Sequence, residues 1–409
     1  MQARIPGGIT FLSERMILNM AACTLYPGKE KRVLDGHPWV FRSDIRHTDE
    51  DAVPGGVVRV CASNGRFLGQ AFYNPQSQIT LRLLTRSKAP VDRAFIQSRV
   101  FRAVEYRRRF ADLKSCRLIY SESDGLPGLI VDAFGEVLCL QSLCLGIDRF
   151  KDDILDALEE ALHPAAIYER SDAPVRPLEG LPMQAGLLRG EMPGQILMTE
   201  NGIRFLVDVQ QGQKTGYFLD QKENRAAIAP FVKDKTVLDC FTHTGAFALH
   251  AAHYGAKRVT AVDISDYACE CARKNAALNG FDQIDFVCAN AFDYLKEQSV
   301  LGTKFDVVIL DPPAFTKSRA TVDAASRGYK EINLRGIKLV KEGGYLVTCS
   351  CSQHMSPEAF LNVVRDAAKD CHIRLMQVEY RTQGRDHPIL PGVPETQYLK
   401  CGIFRCDSW

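Results

Sequence analysis

The sequence predicts an α/β protein whose largest part is a mostly parallel sheet with helices on both faces, preceded by a small all-β module and a central α/β segment. Two changes of rhythm carry this. From about residue 201, short apolar runs alternate with amphipathic segments. TVLDCF (236–241), RVTAVDIS (258–265), IDFVCAN (284–290), FDVVILD (305–311) and GGYLVTCS (343–350) each read as a buried strand. Helical patterns fall between them at 245–254, 266–279, 291–299, 322–341 and 356–370, and IRLMQVEY and YLKCGIF (398–404) close the series. Alternation of this kind implies a parallel sheet covered on both faces. Residues 22–88 instead read as strands only. VVRVCASNGRFLGQAFYN (57–74) is two strand-like runs around Asn64-Gly65, a dipeptide suited to a tight hairpin, and ITLRLLT (79–85) alternates again.

The 409 residues suit two or three domains. The expected division is an extension over 1–21, a β module over 22–90, a central α/β domain over 91–200 and the large α/β domain over 201–409. Net charge is only +2, so any affinity for nucleic acid must come from a local basic patch. No apolar run reaches membrane-span length. The first twenty residues are loosely apolar and broken by Ser13-Glu14-Arg15, so no signal peptide is read there and a cytoplasmic location is expected. In a reducing compartment the 14 cysteines are expected as mostly buried free thiols.

A helix starting at Pro90-Val91-Asp92 and running to about Phe110 carries six arginines. They read as a solvated charged face or as a phosphate-contacting one, since guanidinium forks suit phosphate oxygens. Under the second reading Arg102, Arg107 and Arg108 would contact RNA.

At the strand ends, DCFTHTGAF (239–247) lacks the three glycines of a pyrophosphate loop and the lysine of a P-loop. Asp263 follows Asp239 by 24 residues, at the end of the next strand, where an acid can accept two hydrogen bonds from a ribose diol. An acid, a small-residue turn and a second acid suit a ligand with an amino-acid end and a ribose. S-adenosylmethionine has both. Asp239 would lie near its cationic methionine portion and Gly245 would permit close approach. Further contacts are expected at Phe241, Thr242, Ile264, Asn290 and Asp311. Upstream, QKTGYFLDQKENR (213–225) gathers Lys214, Thr215, Tyr217, Asp220 and Gln221, which form either a cofactor lid or an ordinary loop. Asp311-Pro312-Pro313 at a strand end projects a carboxylate and a carbonyl into the cleft and suits a planar base edge.

In VTCSCSQHM (347–355) two cysteines flank one serine. C-x-C is wrong for a zinc site, where pairs are spaced C-x₂₋₄-C, and wrong for a C-x-x-C redox pair. No metal is expected. A core thiol or a nucleophile remains.

HPWVF (37–41), ESDGLPG (122–128), KTGYFLDQ (214–221), DCFTHTGAF, VDIS (262–265), DPPAF (311–315), RGYKEIN (327–333), SCS (350–352) and DHP (386–388) stand in one order. Over about residues 22–409 the chain resembles the class I S-adenosylmethionine-dependent 23S rRNA (cytosine-C5) methyltransferases with an N-terminal PUA domain, the RlmI-like group. The resemblance implies a PUA barrel over 22–90 and a Rossmann-like seven-stranded sheet with an antiparallel last strand. It also implies an RNA substrate, 23S rRNA or an assembling large subunit, and it maps the nucleophile onto Cys351, leaving Cys349 a bystander. A homodimer is a further expectation.

The chemistry is coherent. Carbon 5 of cytosine is a poor nucleophile, and thiolate addition at carbon 6 makes it enamine-like. Asp311 would hold the N3/N4 edge. The base that takes the C5 proton is open among an aspartate, Lys317 and water, and His354 and His387 are nearby in sequence only. Two other functions compete. One is methylation of an exocyclic amine, which needs no cysteine. The other is a non-catalytic RNA-binding or assembly factor.

Overall fold

Every expected strand and helix of the large α/β domain is present in the computed structural model, which describes residues 20–316 and 319–409. The extension expected over 1–21 lies, up to residue 19, outside the described residues, as does Lys317. The chain forms two compact units. The first takes the chain up to Ile196 together with Val207–Tyr217 and Asp386–Thr396, and the second takes Leu197–Leu206, Phe218–Arg385 and Gln397–Trp409. Each unit thus recruits segments distant in sequence, where linear composition suggested a single boundary near 201.

The first unit holds two sheets. A six-stranded sheet spans Ala22–Leu25 to Leu81–Thr85. Its hairpin pairs Val57 with Phe72 and turns through Gly65 at φ +82°, as Asn64-Gly65 predicted. Cys23, Leu25, Val58, Val60, Ala71 and Leu81 fill its core. A five-stranded sheet, from Ser115–Tyr120 to Gln184–Gly190, shares a second core with the helices Arg93–Arg108 and Lys151–Leu162.

Asp92 caps the first of these helices by accepting a bond from the Phe95 amide at 2.9 Å. Its buried stripe runs Ile96, Val100, Ala103, Val104 and Arg107, the i, i+3, i+4 spacing of one helix face. Arg107 is therefore inside. Its guanidinium forks onto Asp124 at 2.5 and 2.8 Å, and it donates to the carbonyls of Arg117 (2.9 Å) and Asp386 (2.8 Å). This corrects the expectation that Arg107 contacts RNA, because a fully buried, fully bonded guanidinium has nothing left for phosphate. Arg102 and Arg108 are exposed, with Arg108 paired to Glu105 at 3.2 Å. Nearby, Arg117 forks onto Asp132 at 2.7 and 2.8 Å, and the Arg117 amide donates to Asp386 at 2.9 Å. The ESDGLPG and DHP segments thus serve a buried ionic network of the first unit.

The second unit carries a seven-stranded sheet: β1 (Thr236–Cys240), β2 (Arg258–Asp263), β3 (Ile284–Cys288), β4 (Phe305–Leu310), β5 (Val340–Ser350), β6 (Ile373–Arg381) and β7 (Lys400–Ser408). Its order is β3-β2-β1-β4-β5-β7-β6. The first five strands pair in parallel, while β7 runs antiparallel to both β5 and β6. Helices α1 (Ala246–His253), α2 (Asp266–Asn279), α3 (Ala291–Leu301), α4 (Val322–Leu339) and α5 (Pro357–Asp370) cross between strands. Leu238, Val262, Val308, Leu310, Tyr329, Leu346 and Phe360 are buried in one core.

The β1–α1 turn is strained. Phe241 and His243 take positive φ (+67° and +52°), as does Gly245 (+85°). Non-glycine residues in this region cost roughly 1–2 kcal/mol each and cluster at functional loops. A Cβ at Gly245 would lie 2.6 Å from Leu249 Cδ1 and 3.1 Å from Ala272 Cβ.

Two stability measurements check this account. Arg107→Met should cost about 3 kcal/mol by stranding a buried carboxylate, seen as a lower urea midpoint that Arg102→Met does not share. Gly245→Ala should cost more than the roughly 1–2 kcal/mol of left-handed strain alone. Gly280→Ala, at φ +69° with open space around it, should show that strain alone, so equal losses of melting temperature would contradict the packing argument.

Candidate active site

The carboxyl ends of β1, β2, β4 and β5 collect the polar groups of the second unit. Asp239, the penultimate residue of β1, is fully buried. Its Oδ2 accepts from the Thr242 hydroxyl at 2.6 Å and from the Ala248 amide in the first turn of α1 at 2.9 Å. Its Oδ1 is buried and has no hydrogen-bond partner among the described residues. Burial pushes this carboxyl up to about 7 against the pull of the Thr242 bond, and Asp311 and Asp263 nearby push the same way. An orphaned carboxylate oxygen beside two more acids is a site that wants a cation.

Asp263 ends β2. One oxygen accepts from the His243 amide at 2.8 Å and the other from Ser265 at 3.0 Å. The strained turn therefore brings a backbone donor onto the second acid and ties the two strand ends together. Each carboxylate oxygen keeps a further lone pair, enough for a diol. Ile264, next along, is 67% exposed, an apolar surface beside that acid suited to one face of a planar ring. Asn290 is exposed and caps α3 through the Phe292 amide at 2.9 Å.

Asp311 follows β4. Its Oδ1 accepts from Gln221 Nε2 at 2.9 Å, and Gln221 Oε1 accepts from Asn224 at 2.6 Å, which orients the amide. Arg381 donates in turn to Asn224 at 3.2 Å. Asp220 accepts from the Tyr398 hydroxyl at 2.5 Å. Sequence spacing grouped Lys214, Thr215 and Tyr217 with Asp220 and Gln221, but these three belong to the first unit. There the Thr215 hydroxyl donates to Asp132 at 2.6 Å.

The two cysteines of VTCSCSQHM separate cleanly. Cys349 is fully buried within β5 opposite Cys401 of β7. Burial pushes its thiol well above the ordinary range, and Cys401 beside it adds to that. Cys351 lies just past the end of β5, half-buried, with Sγ 3.9 Å from the carbonyl of Pro312. The adjacent β4 ends at Leu310, paired with Thr348, so the Asp-Pro-Pro turn and Cys351 share one rim.

Two residues that sequence patterns did not single out hold this turn. Tyr329 of α4 is fully buried and its hydroxyl bonds Ser352 Oγ at 2.9 Å. Its ring meets Phe315 with centroids 4.6 Å apart, and a Cβ at Gly328 would crowd that ring at 3.2 Å. Lys400, the first residue of β7, donates to the Ser352 carbonyl at 2.7 Å. The available signal was RGYKEIN itself, a buried-face tyrosine four residues before an asparagine. His387 belongs to the first unit, bonded through Nδ1 to Asp386 at 2.8 Å. Among the described residues no group of three or more His, Cys, Asp or Glu could hold a metal ion, and no helix is long and apolar enough to cross a membrane.

Comparison with known proteins gives the family. A family model described as a PUA-like domain matches residues 24–86, and one described as an S-adenosylmethionine-dependent methyltransferase matches residues 183–405. Ribosomal RNA large subunit methyltransferase I of Shewanella amazonensis is 42% identical over 388 residues, 93% of this chain and 98% of its own. Its counterpart in Vibrio vulnificus is 41% identical over the same shares of both chains. The crystal structure of SMU.776 complexed with SAH superposes with a TM-score of 0.81 at 22% identity, covering 94% of this chain and 99% of that one. A protein assigned as a SAM-dependent methyltransferase from Streptococcus mutans superposes at 0.79 with the same identity and coverage. These two show a shared fold. By its sequence, the chain belongs to the S-adenosylmethionine-dependent methyltransferases of the ribosomal RNA large subunit methyltransferase I family.

Proposed function

We propose that the chain methylates C5 of a cytosine in 23S rRNA through a transient bond between Cys351 and carbon 6 of the base. The observation that carries this is the separation of the two thiols. Cys349 is sealed in the sheet, whereas Cys351 stands half-buried on the rim against the Asp-Pro-Pro turn.

S-adenosylmethionine supplies an electrophilic methyl group when bound. The residues present fit it: Asp239 would offer a buried carboxylate oxygen to its cationic end, Asp263 would accept from its diol and the exposed Ile264 would cover its planar ring. Thr242 and Gly245 act through the turn, Thr242 by bonding Asp239 and Gly245 by letting the backbone close.

Cys351 releases its proton to solvent and its sulfur adds to carbon 6 of the cytosine. Asp311, oriented by the bond that its Oδ1 accepts from Gln221, meets the N3/N4 edge and shares a proton with N3 as electrons move onto the ring. Carbon 5 is then nucleophilic and would attack the sulfonium methyl of a bound cofactor, whose S–CH3 bond would break to leave the neutral thioether. Transfer of the C5 proton to a base, open among an aspartate, Lys317 and water, and return of the N3 proton to Asp311 expel the Cys351 thiolate and restore aromaticity. Splitting one difficult substitution into addition and elimination is the gain of covalent catalysis. The target cytosine must be unpaired or flipped out to reach a thiol in a cleft. An RNA substrate is supported by the relatives' name, the PUA-like segment 24–86 and the exposed Arg102 and Arg108.

Cys351→Ala is expected to lower methylation of large-subunit RNA by at least about a thousandfold, while Cys349→Ala keeps it. RNA carrying 5-fluorocytosine should become covalently linked to Cys351. Full activity in Cys351→Ala, with the product methyl on an exocyclic nitrogen, would overturn the proposal. A second expectation concerns pH. Asp239 is neutral below about 7, and only its ionised form attracts a cation. Calorimetric affinity for S-adenosylmethionine should therefore fall by up to about tenfold per pH unit below that value. In Asp239→Asn the affinity should be weak and flat with pH.

A further inference from the structure

A buried lysine remains unused by this mechanism. Lys400 opens β7 and is 1% exposed. Its Nζ donates to the carbonyls of Ser352 at 2.7 Å and Tyr398 at 2.8 Å. Both acceptors are neutral, and no ion pair to a carboxylate is formed by Lys400 among the described residues. Lysine is among the residues least often fully buried unless paired, because an ammonium without a counter-charge loses its hydration uncompensated.

The register shows what lies beside it. β7 runs antiparallel to β5 with Lys400 opposite Ser350, and the side chain reaches the carbonyl of Ser352. It therefore runs from the level of one neighbour of Cys351 to the level of the other. Burial draws the ammonium down to about 8, and Cys351 is the group that counters this. Tyr329 from α4 has its phenol pushed up by burial, so it stays neutral, and Asp311 beyond β4 carries an acid.

We infer that Lys400 is a positioning residue for Cys351: it pins the carbonyl that follows the nucleophile and holds a positive charge beside the sulfur, so that the thiol releases its proton to solvent and stands as thiolate. Its place in catalysis rests on Cys351 being the nucleophile, whereas the charge pairing stands on the geometry of β5 and β7. Neighbouring cations are the general means by which proteins lower a thiol's pKa.

The test is the pH dependence of Cys351 alkylation in the full chain without RNA. The thiolate displaces iodide from iodoacetamide, forming a carbon–sulfur bond, and fragment masses locate the adduct at Cys351. In the unaltered protein the midpoint should fall below the ~8.5 of an ordinary cysteine. Lys400→Met should raise it by about one unit, a roughly tenfold slower reaction at pH 7. Lys400→Gln, which can still donate a hydrogen bond, should raise it equally, while Lys400→Arg should keep it low. A midpoint at or above ~8.5 in the unaltered protein overturns the inference even if no variant folds. So does an unchanged midpoint in folded Lys400→Met and Lys400→Gln. A low, lysine-dependent midpoint with no 5-fluorocytosine adduct would instead overturn the nucleophile proposal and leave the pairing standing.

Discussion

The second unit depends on a crowding of acids at one edge of a parallel sheet. Parallel pairing places every strand's carboxyl end on the same side, and here the ends of β1, β2 and β4 carry Asp239, Asp263 and Asp311. Three carboxylates so placed repel, and burial of Asp239 adds to the cost of ionising it. Fold stability alone would not choose this arrangement. Backbone amides of His243, Ser265 and Ala248 and the amide of Gln221 moderate it with dipoles but bring no charge. The remaining deficit is positive, which a cationic ligand makes good.

The antiparallel last strand has a geometric role. Because β7 runs against β5, it starts where the parallel strands stop. Its first residue can therefore deliver a side chain to the rim from within the sheet. Tyr329 approaches from the helical layer and Lys400 from the sheet, so the Ser350–Ser352 turn is gripped on both sides.

Much of this was legible in the residues. The 24-residue separation of Asp239 and Asp263, the proline pair after Asp311 and the periodicity of each strand all follow from local pattern. Two kinds of feature were not. Arg107 sits in an arginine-rich helix whose composition suggests a solvated face. Its burial is set by partners up to 279 positions away, such as the Asp386 carbonyl. Likewise Lys214, Thr215 and Tyr217 adjoin Asp220 in sequence, yet the chain passes from one unit to the other between Tyr217 and Phe218. Proximity along a chain carries no information about such a crossing. Tyr329 and Lys400 were missed for a different reason: their contacts with Ser352 form only when β5, β7 and α4 meet.

The interleaving of the two units bears on how the protein is made. The first unit needs Asp386 to receive the Arg117 amide and to offer a carbonyl to Arg107. On the ribosome that residue emerges long after both arginines, with nearly the whole second unit translated in between. The amino-terminal portion must therefore wait in an incomplete form, its ionic network open, while the later sheet assembles. Such late closure raises contact order and lengthens exposure to misassembly. It also means that no single cut can release either unit intact.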